Sequence, residues 1–251
     1  MRLDNFLVEN NFYTTRNKAK NAILKGEIKV DGNIAFKPSQ DVEAGVKIEI
    51  ISEKSFVSEG GYKLDKALSD FSFSVKDMIC YDVGSSTGGF SDCLIQNGAK
   101  KVYSIDLHDD LLDSSLKTND KVVTVIKNAR ELNGADFSDK PDLITADLSF
   151  ISETYVLPVF SKLCEDGAYL IILIKPQFEL DKRIKLKNGI LRDIAERKNA
   201  CKKVYECAVS NGFSPLNLTV APIKKDKNVE YLMLAVKGSA DKFDLNSLNF
   251  N

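Results

Sequence analysis

The sequence predicts two units in one chain: a small α+β module at the amino end, then an α/β domain on a largely parallel sheet. Three observations carry this. Residues 1–51 join two short helical patterns to a hairpin signal. From residue 79 onward, apolar runs of strand length alternate with helical stretches, the signature of βαβ units. Between the first such strand and its helix lies "GSSTGG", a small-residue loop where an open α/β sheet forms its ligand crevice.

In "RLDNFLVENNFY", Leu3, Phe6 and Leu7 fall at helical spacing. "TTRNKAKNAILKGE" then offers Thr14 or Thr15 as an N-cap, Ala19, Ala22 and Ile23 as an apolar stripe, and Gly26 as a stop. "IKVDGNIAF" sets two apolar runs around Asp31-Gly32, a strong hairpin signal, and "VKIEII" closes the module as an alternating strand. A module of about fifty residues is marginal alone, because little of its surface is buried. Its expected span is 1–54. The polar, glycine-containing "SEKSFVSEGGYKL" reads as the connection, with a linker over 55–62 and the larger domain over 63–238. Strands are expected at 79–83, 101–106, 122–126, 142–147, 168–174, 215–220 and 229–236, and helices at 89–97, 153–164 and 194–211. The last two strands, joined through "APIKKDKN", are expected to pair antiparallel. The tail over 239–251 is polar and expected to fray.

A formal net charge of −1 singles out no partner. Basic side chains do concentrate locally, in "RNKAKNAILK", "DKRIKLKNGILRD", "ERKNACKK" and "IKKDK", and each run taken singly reads as a solvated face. The five cysteines form no CxxC pair and there is a single histidine, His108, so no metal site is expected. The cysteines read as reduced residues of a cytosolic protein. No signal peptide opens the chain, and its longest apolar run, "AYLIILI", has the length of a buried strand rather than a membrane span.

The glycine-rich loop fits neither common phosphate motif. Gly84 and Gly89 have P-loop spacing, but Phe90 stands where the phosphate-binding lysine belongs, and Gly84, Gly88 and Gly89 do not make GxGxxG. Asp82, just before the loop, could bond an ammonium, and Asp106, ending the next strand, could take a ribose diol. A ligand with adenosine at one end and an amino acid at the other suits that pair, and S-adenosylmethionine is such a ligand. A turn needed only for close helix–strand packing remains the alternative. Asp147 in "ADLSFIS" and Lys175 in "LIILIKPQFE" end neighbouring strands on the same edge. Asp147 could equally be a cap and Lys175 a surface lysine, but a lysine closing six apolar residues favours function.

Taken together, "DVGSSTGGF", "ADLSFIS", "IKPQFE", "NGILRD" and "APIKKDKNVEY" resemble the TlyA family of ribosomal RNA 2′-O-methyltransferases, within the FtsJ-like S-adenosylmethionine-dependent class. "RLDNFLVENNFYTTRNKAKNAILKGEIKVDGNIAFKP" is similar to the S-four RNA-binding motif of that family. The resemblance implies a Rossmann-like methyltransferase sheet and a Lys-Asp-Lys-Glu tetrad at Lys63, Asp147, Lys175 and Glu230. It implies Lys175 as the base for a ribose hydroxyl, with the nearby Lys63 cation promoting its neutral form. Cofactor contacts carry over to Asp82, Gly84, Ser85, Ser86, Thr87, Gly88, Gly89, Asp106 and Asn128. RNA phosphate contacts carry over to Arg2, Arg16, Lys18, Lys20, Lys25 and Lys37, which position a substrate without reading its sequence.

Two positions depart from the family pattern: Glu59 where arginine is usual, so that a phosphate contact is expected to be missing, and "GSS" where "GAS" is commoner. The implied partner is ribosomal RNA or a ribosomal subunit, with no membrane partner and a monomer by default. The chain starts almost at the S-four motif, which looks like the family's shorter form and so implies the large-subunit (23S) RNA, with the small-subunit (16S) RNA as a further substrate. Family members have also been labelled haemolysins. A membrane-active haemolysin and a non-catalytic RNA-binding assembly factor are therefore the rival readings. The first needs an exposed amphipathic or spanning segment that the sequence lacks, and the second would not need an intact tetrad.

Overall fold

The structure is a computed structural model that describes residues 1–24, 27–43, 45–50, 54–180, 186, 188–222 and 227–245. The chain divides into two compact units, Met1–Ser55 and Phe56–Asn251.

The first unit contains α1 (Leu3–Glu9), α2 (Arg16–Leu24), β1 (Ile28–Val30), β2 (Asn33–Ile34) and β3 (Ile48–Ile50). Its sheet has the order β2-β1-β3, antiparallel throughout. Asp31 and Gly32 both take positive φ, 48° and 79°, as the tight two-residue hairpin turn requires. Thr15 Oγ1 accepts the Lys18 amide at 3.3 Å and so caps α2. Leu3 and Leu7 of α1 meet Ala19, Ala22 and Ile23 of α2 over Ile28 and Val30, all buried. These are the helical i, i+3, i+4 stripes of the sequence closing on one small core.

The second unit runs α3 (Glu59–Asp70), β4 (Ile79–Val83), α4 (Gly89–Gln96), β5 (Lys101–Asp106), α5 (Ser114–Lys117), β6 (Val122–Ile126), β7 (Leu143–Ala146), α6 (Leu157–Leu163), β8 (Tyr169–Ile174), α7 (Pro176–Glu179), α8 (Ile194–Ser210), β9 (Phe213–Val220) and β10 (Tyr231–Lys237). The sheet order is β6-β5-β4-β7-β8-β10-β9. The first five strands in that order are parallel, and β10 runs antiparallel to both β8 and β9. Strand side chains alternate between two cores. Tyr81, Val83, Ile144 and Ile172 pack with Phe160 and Val204 of α6 and α8. Cys80, Leu143, Ile171 and Leu173 pack with Leu64, Leu68 and Leu94 of α3 and α4. The chain leaves β4 towards one edge of the sheet and β7 towards the other. A crevice therefore opens beyond the carboxyl ends of these two neighbours.

Two expectations are corrected. The segment 55–62 is no linker. Phe56 is buried among Leu64, Leu68 and Phe90, the Val57 amide donates to Asp92 Oδ2 at 2.8 Å, and residues 59–62 form the first turn of α3. Gly60 and Gly61 weaken the helical signal, yet the packing requires Gly61 and is tight at Gly60. A Cβ on Gly61 would lie 2.3 Å from Phe56 Cβ, and one on Gly60 3.3 Å from the Phe90 ring. The tail is not frayed over 239–245. Phe243 packs edge-to-face on Tyr205, its amide donates to Pro215 O at 3.1 Å, and Leu245 is buried. Two isolated apolar residues anchor an otherwise polar segment. Residues 246–251 lie outside the described residues.

Candidate active site

The loop leaving β4 is shaped by its neighbours. Gly84 N and Ser85 N both donate to Ile105 O of β5, at 2.8 and 3.1 Å. Gly84 has φ +82°, and a Cβ there would sit 2.9 Å from the Asp147 carbonyl oxygen. Glycine alone supplies both the conformation and the close passage beneath the outgoing end of β7. Gly88 borders neither cavity of the site, and a Cβ there would strike the Leu116 side chain at 2.2 Å, so packing requires a glycine at this position.

The expected placement of Asp82 is corrected. Strand alternation turns it toward α4, where it is fully buried and lines neither cavity of the site. Ser91 Oγ donates to its carboxyl at 2.6 Å and Thr145 Oγ1 at 3.3 Å. Burial pushes its pKa up to about 7, with the Asp147 charge adding to the effect. Asp82 ties the loop's helix to the sheet rather than meeting a ligand ammonium.

Two adjoining cavities open at the crevice. One, of about 410 Å³, runs from Ile105, Asp106 and Asn128 to Asp147 and Ser149. The other, of about 180 Å³, is bounded by Ser58, Ser85, Thr87, Gly89 and Lys175. Gly84, Ser86, Asp147 and Ser149 border both. Asp106 is held rigidly, its two carboxylate oxygens accepting the Ser86 and Leu107 amides at 2.7 Å each. Each oxygen keeps a second lone pair for a ribose hydroxyl. Asn128 Oδ1 accepts the Arg130 amide at 3.0 Å, which fixes the turn that walls the larger cavity.

At the sheet edge the four expected tetrad residues form two ion pairs. Lys175 Nζ lies 2.5 Å from Asp147 Oδ1, and Lys63 Nζ donates to Glu230 Oε2 at 2.7 Å. The antiparallel register sets Tyr231 opposite Ile174, so the next residues outward, Glu230 and Lys175, come side by side. Lys175 is buried. Asp147 Oδ1 accepts no hydrogen bond of good geometry, so its contact with Lys175 is a charge pair rather than an aligned bond. Burying either charge alone would be costly, and pairing offsets that cost.

Sequence reasoning missed Ser149, whose Oγ accepts a hydrogen bond from Lys175 Nζ at 2.8 Å. Its place two residues after Asp147, where the strand ends, was the available signal. It also missed Phe150, a bulky residue at φ +65° whose ring is 91% exposed and leans on Phe178 at 5.2 Å. That conformation costs on the order of 1–3 kcal/mol for a side chain of this size. Glu59, the departure from the family pattern, lies in the first turn of α3, where a carboxylate favours the helix dipole.

In the first unit, Arg2 and Arg16 are committed within the module. Arg2 Nε and Nη2 donate to Asp4 Oδ1 and Oδ2 at 3.0 and 2.9 Å, and Arg16 Nε donates to Oδ2 at 3.0 Å. These bonds hold the Asp4 pKa down to about 2. Both arginines stay exposed, as do Lys18, Lys20 and Lys37. Lys25 lies outside the described residues.

The residues present fit S-adenosylmethionine. The glycine passage admits a close approach, Asp106 offers acceptors for a diol, and Asn128 walls the far end. All five cysteines are unpaired, and no cluster suited to a metal ion occurs among the described residues. No described helix is long and apolar enough to cross a membrane.

Comparison with known proteins identifies the family of each unit. The FtsJ-like methyltransferase family model matches residues 56–237, and the S4 domain model matches residues 1–48. Over 92% of its length the chain is 38% identical to Hemolysin A of Brachyspira hyodysenteriae, covering 98% of that protein. Over the same share it is 33% identical to the 16S/23S rRNA (cytidine-2′-O)-methyltransferase TlyA of Mycobacterium tuberculosis, covering 88% of it. A solved structure from Streptococcus thermophilus that carries the name hemolysin aligns with a TM-score of 0.73 at 34% identity, over 98% of this chain and 92% of the other. The family matches span both units, and the chain belongs to the FtsJ-like methyltransferase family, with an S4 domain before it.

Proposed function

We propose that this protein moves a methyl group from S-adenosylmethionine to the 2′-oxygen of a cytidine ribose in ribosomal RNA, acting in the cytoplasm. The observation that carries the reading is the pair of ion pairs, Lys175–Asp147 and Lys63–Glu230, at the rim of a crevice floored by the glycine loop. The acceptor's identity is taken from the M. tuberculosis relative.

S-adenosylmethionine supplies, when bound, a methyl group made electrophilic by its positively charged sulfur. Asp106, Asn128 and the backbone of residues 84–87 would hold it. The remaining task falls to the chain's own side chains: a ribose hydroxyl is a weak nucleophile until its proton can leave. As a neutral amine, Lys175 Nζ has two N–H groups and one lone pair. Ser149 Oγ accepts one N–H and the Asp147 carboxylate lies against the amine as a charge partner, so the lone pair is left for the substrate hydroxyl. The hydroxyl proton passes to Nζ, and the ammonium so formed lies against the Asp147 carboxylate. Glu230 holds Lys63 at the rim, matching its charge. Asp147, Ser149 and the Lys63–Glu230 pair together fix the hydroxyl for in-line attack, where most of the rate gain resides.

The exposed Phe150 ring offers a face for an unpaired base beside the site, and the exposed lysines of the S4 domain suit RNA phosphates.

The test is methyl transfer from labelled S-adenosylmethionine to ribosomes and separated subunits from a strain lacking the protein. Label is expected in the large subunit, in a dinucleotide resistant to alkali, because a methylated 2′-oxygen cannot attack the neighbouring phosphate. Cofactor binding with no label on any subunit would overturn the reading.

A further inference from the structure

The motif "IKPQFE" ends in a glutamate to which the chemistry above gives no part. Glu179 closes α7, four residues beyond Lys175, and is 2% exposed. Its carboxylate reaches across to the segment that leaves the neighbouring strand β7. There it accepts the Ser152 hydroxyl and, at 2.8 Å, the Glu153 amide. It thus sits at the amino end of the short turn Glu153–Tyr155, where a carboxylate is favoured. From the far side, α8 braces the same residue, with Lys203 Nζ donating to the Glu179 carbonyl oxygen at 2.7 Å.

Resting on the proposed methyl transfer, we propose that Glu179 is a positioning residue: its carboxylate straps the Asp147–Glu153 segment to the Lys175–Glu179 segment and so keeps Asp147 and Ser149 on Lys175. The two segments leave adjacent parallel strands, β7 and β8, and turn away from the sheet. They are joined at their inner ends by Lys175 with Asp147 and Ser149, and at their outer ends by Glu179 with Ser152 and Glu153. Between the two joints the chain passes through Phe150 in the left-handed conformation, which the outer joint helps to hold. Without that joint the inner contacts would depend on a strained loop. A shift of about 1 Å there is enough to lower a rate by about 100-fold.

The environment of Glu153 is consistent with a rigid outer joint. Its carboxyl is buried and accepts no hydrogen bond of good geometry, and burial, with the charges of Glu179 and Asp147, holds it well above the usual carboxylate range. A loop free to open would let water reach this group.

The experiment compares the full-length parent with Glu179→Ala, Glu179→Gln and Ser152→Ala. It reads single-turnover methyl transfer to ribosomal subunits, S-adenosylmethionine affinity by calorimetry, and thermal unfolding. Glu179→Ala is expected to lower the rate about 100-fold while cofactor affinity stays within about threefold. Glu179→Gln is expected to restore the rate to within about threefold, since its amide oxygen can accept the Glu153 N–H and its amide nitrogen can donate to Ser152 Oγ. Ser152→Ala, which removes one of two links, is expected to lower the rate about tenfold, and it decides the matter if Glu179→Ala does not fold. An unchanged rate in Ser152→Ala or Glu179→Ala, an equal loss of rate and cofactor affinity, or no rescue by Glu179→Gln would each overturn the strap. Failure of the underlying reading is distinguishable, because the parent itself would then transfer no methyl group.

Discussion

The two units of this protein place their charges in opposite environments. In the S4 domain, Arg2, Arg16, Lys18, Lys20 and Lys37 are exposed, and the buried charged side chain among its described residues is Asp4, held by two arginines and lowered to about 2. In the methyltransferase unit, Asp82, Glu153, Lys175 and Glu179 are all buried, and burial raises the three carboxyls instead, Asp82 to about 7. A charge that meets a phosphate backbone works best in water, adjusted by opposite charges nearby. A charge that moves a proton works best away from water, where its surroundings fix its position and state.

The sharpest way to break this comparison is to remove the buried cation. Lys175→Ala is expected to lower methyl transfer by at least about 10³-fold, the scale of lost acid–base catalysis, while cofactor affinity stays within a few-fold. It leaves untouched the glycine loop and Asp106, the proposed cofactor contacts. Equal activity in mutant and parent, measured with labelled cofactor, would remove Lys175 from the mechanism.

The exposed charges should respond quite differently. Replacing Lys18, Lys20 and Lys37 together by alanine is expected to weaken subunit binding and leave the single-turnover rate at saturating subunit unchanged. Each phosphate interaction removed should flatten the plot of log affinity against log salt by about 0.7–0.9, so the slope of the triple variant should be shallower by about 2–3. An unchanged slope would place the RNA-binding face elsewhere on the protein.

The same contrast explains what could be read in advance. The strands of the second unit were legible to within about two residues, because long β-branched runs between polar turns leave little choice. The pair Asp147–Lys175 was legible because both residues close apolar strands. Lys63 and Glu230 lie 167 residues apart in sequence, and only the family resemblance placed them together. The burial of Asp82 was not legible, since a central strand covered on both faces shows no polar–apolar alternation. Helix α3 was hidden by Gly60 and Gly61, whose low helix propensity is overridden by packing on Phe90 and, at Gly61, by a close approach to Phe56 that only glycine permits. The docked tail was hidden because two apolar residues make no pattern. In the S4 domain, the exposure of Lys18 and Lys20 followed from the helical stripe, whereas the capture of Arg2 and Arg16 by Asp4 required three-dimensional proximity.

The smallest expected effect distinguishes the two kinds of buried carboxyl by the sign of their pH dependence. Asp4 has a lowered value in the folded protein, about 2 against an ordinary 3.8. Its contribution is present above the ordinary value and is lost as pH falls toward 2. Asp82 is raised to about 7 from 3.8, so between these values the folded protein holds a proton that the unfolded chain has released. Its contribution is therefore greatest below about 4 and is lost as pH rises through about 7, at no more than about 1.4 kcal/mol per pH unit. Thermal unfolding of the methyltransferase unit, followed from pH 4 to 8, should show the parent losing stability across that window. Asp82→Asn cannot ionise and should flatten the trend, leaving the part due to Glu153 and Glu179, which are shifted in the same direction. Parallel curves for parent and variant would mean that Asp82 keeps its charge despite its burial. Burial would then fail as the rule separating the second unit's carboxyls from Asp4 in the first.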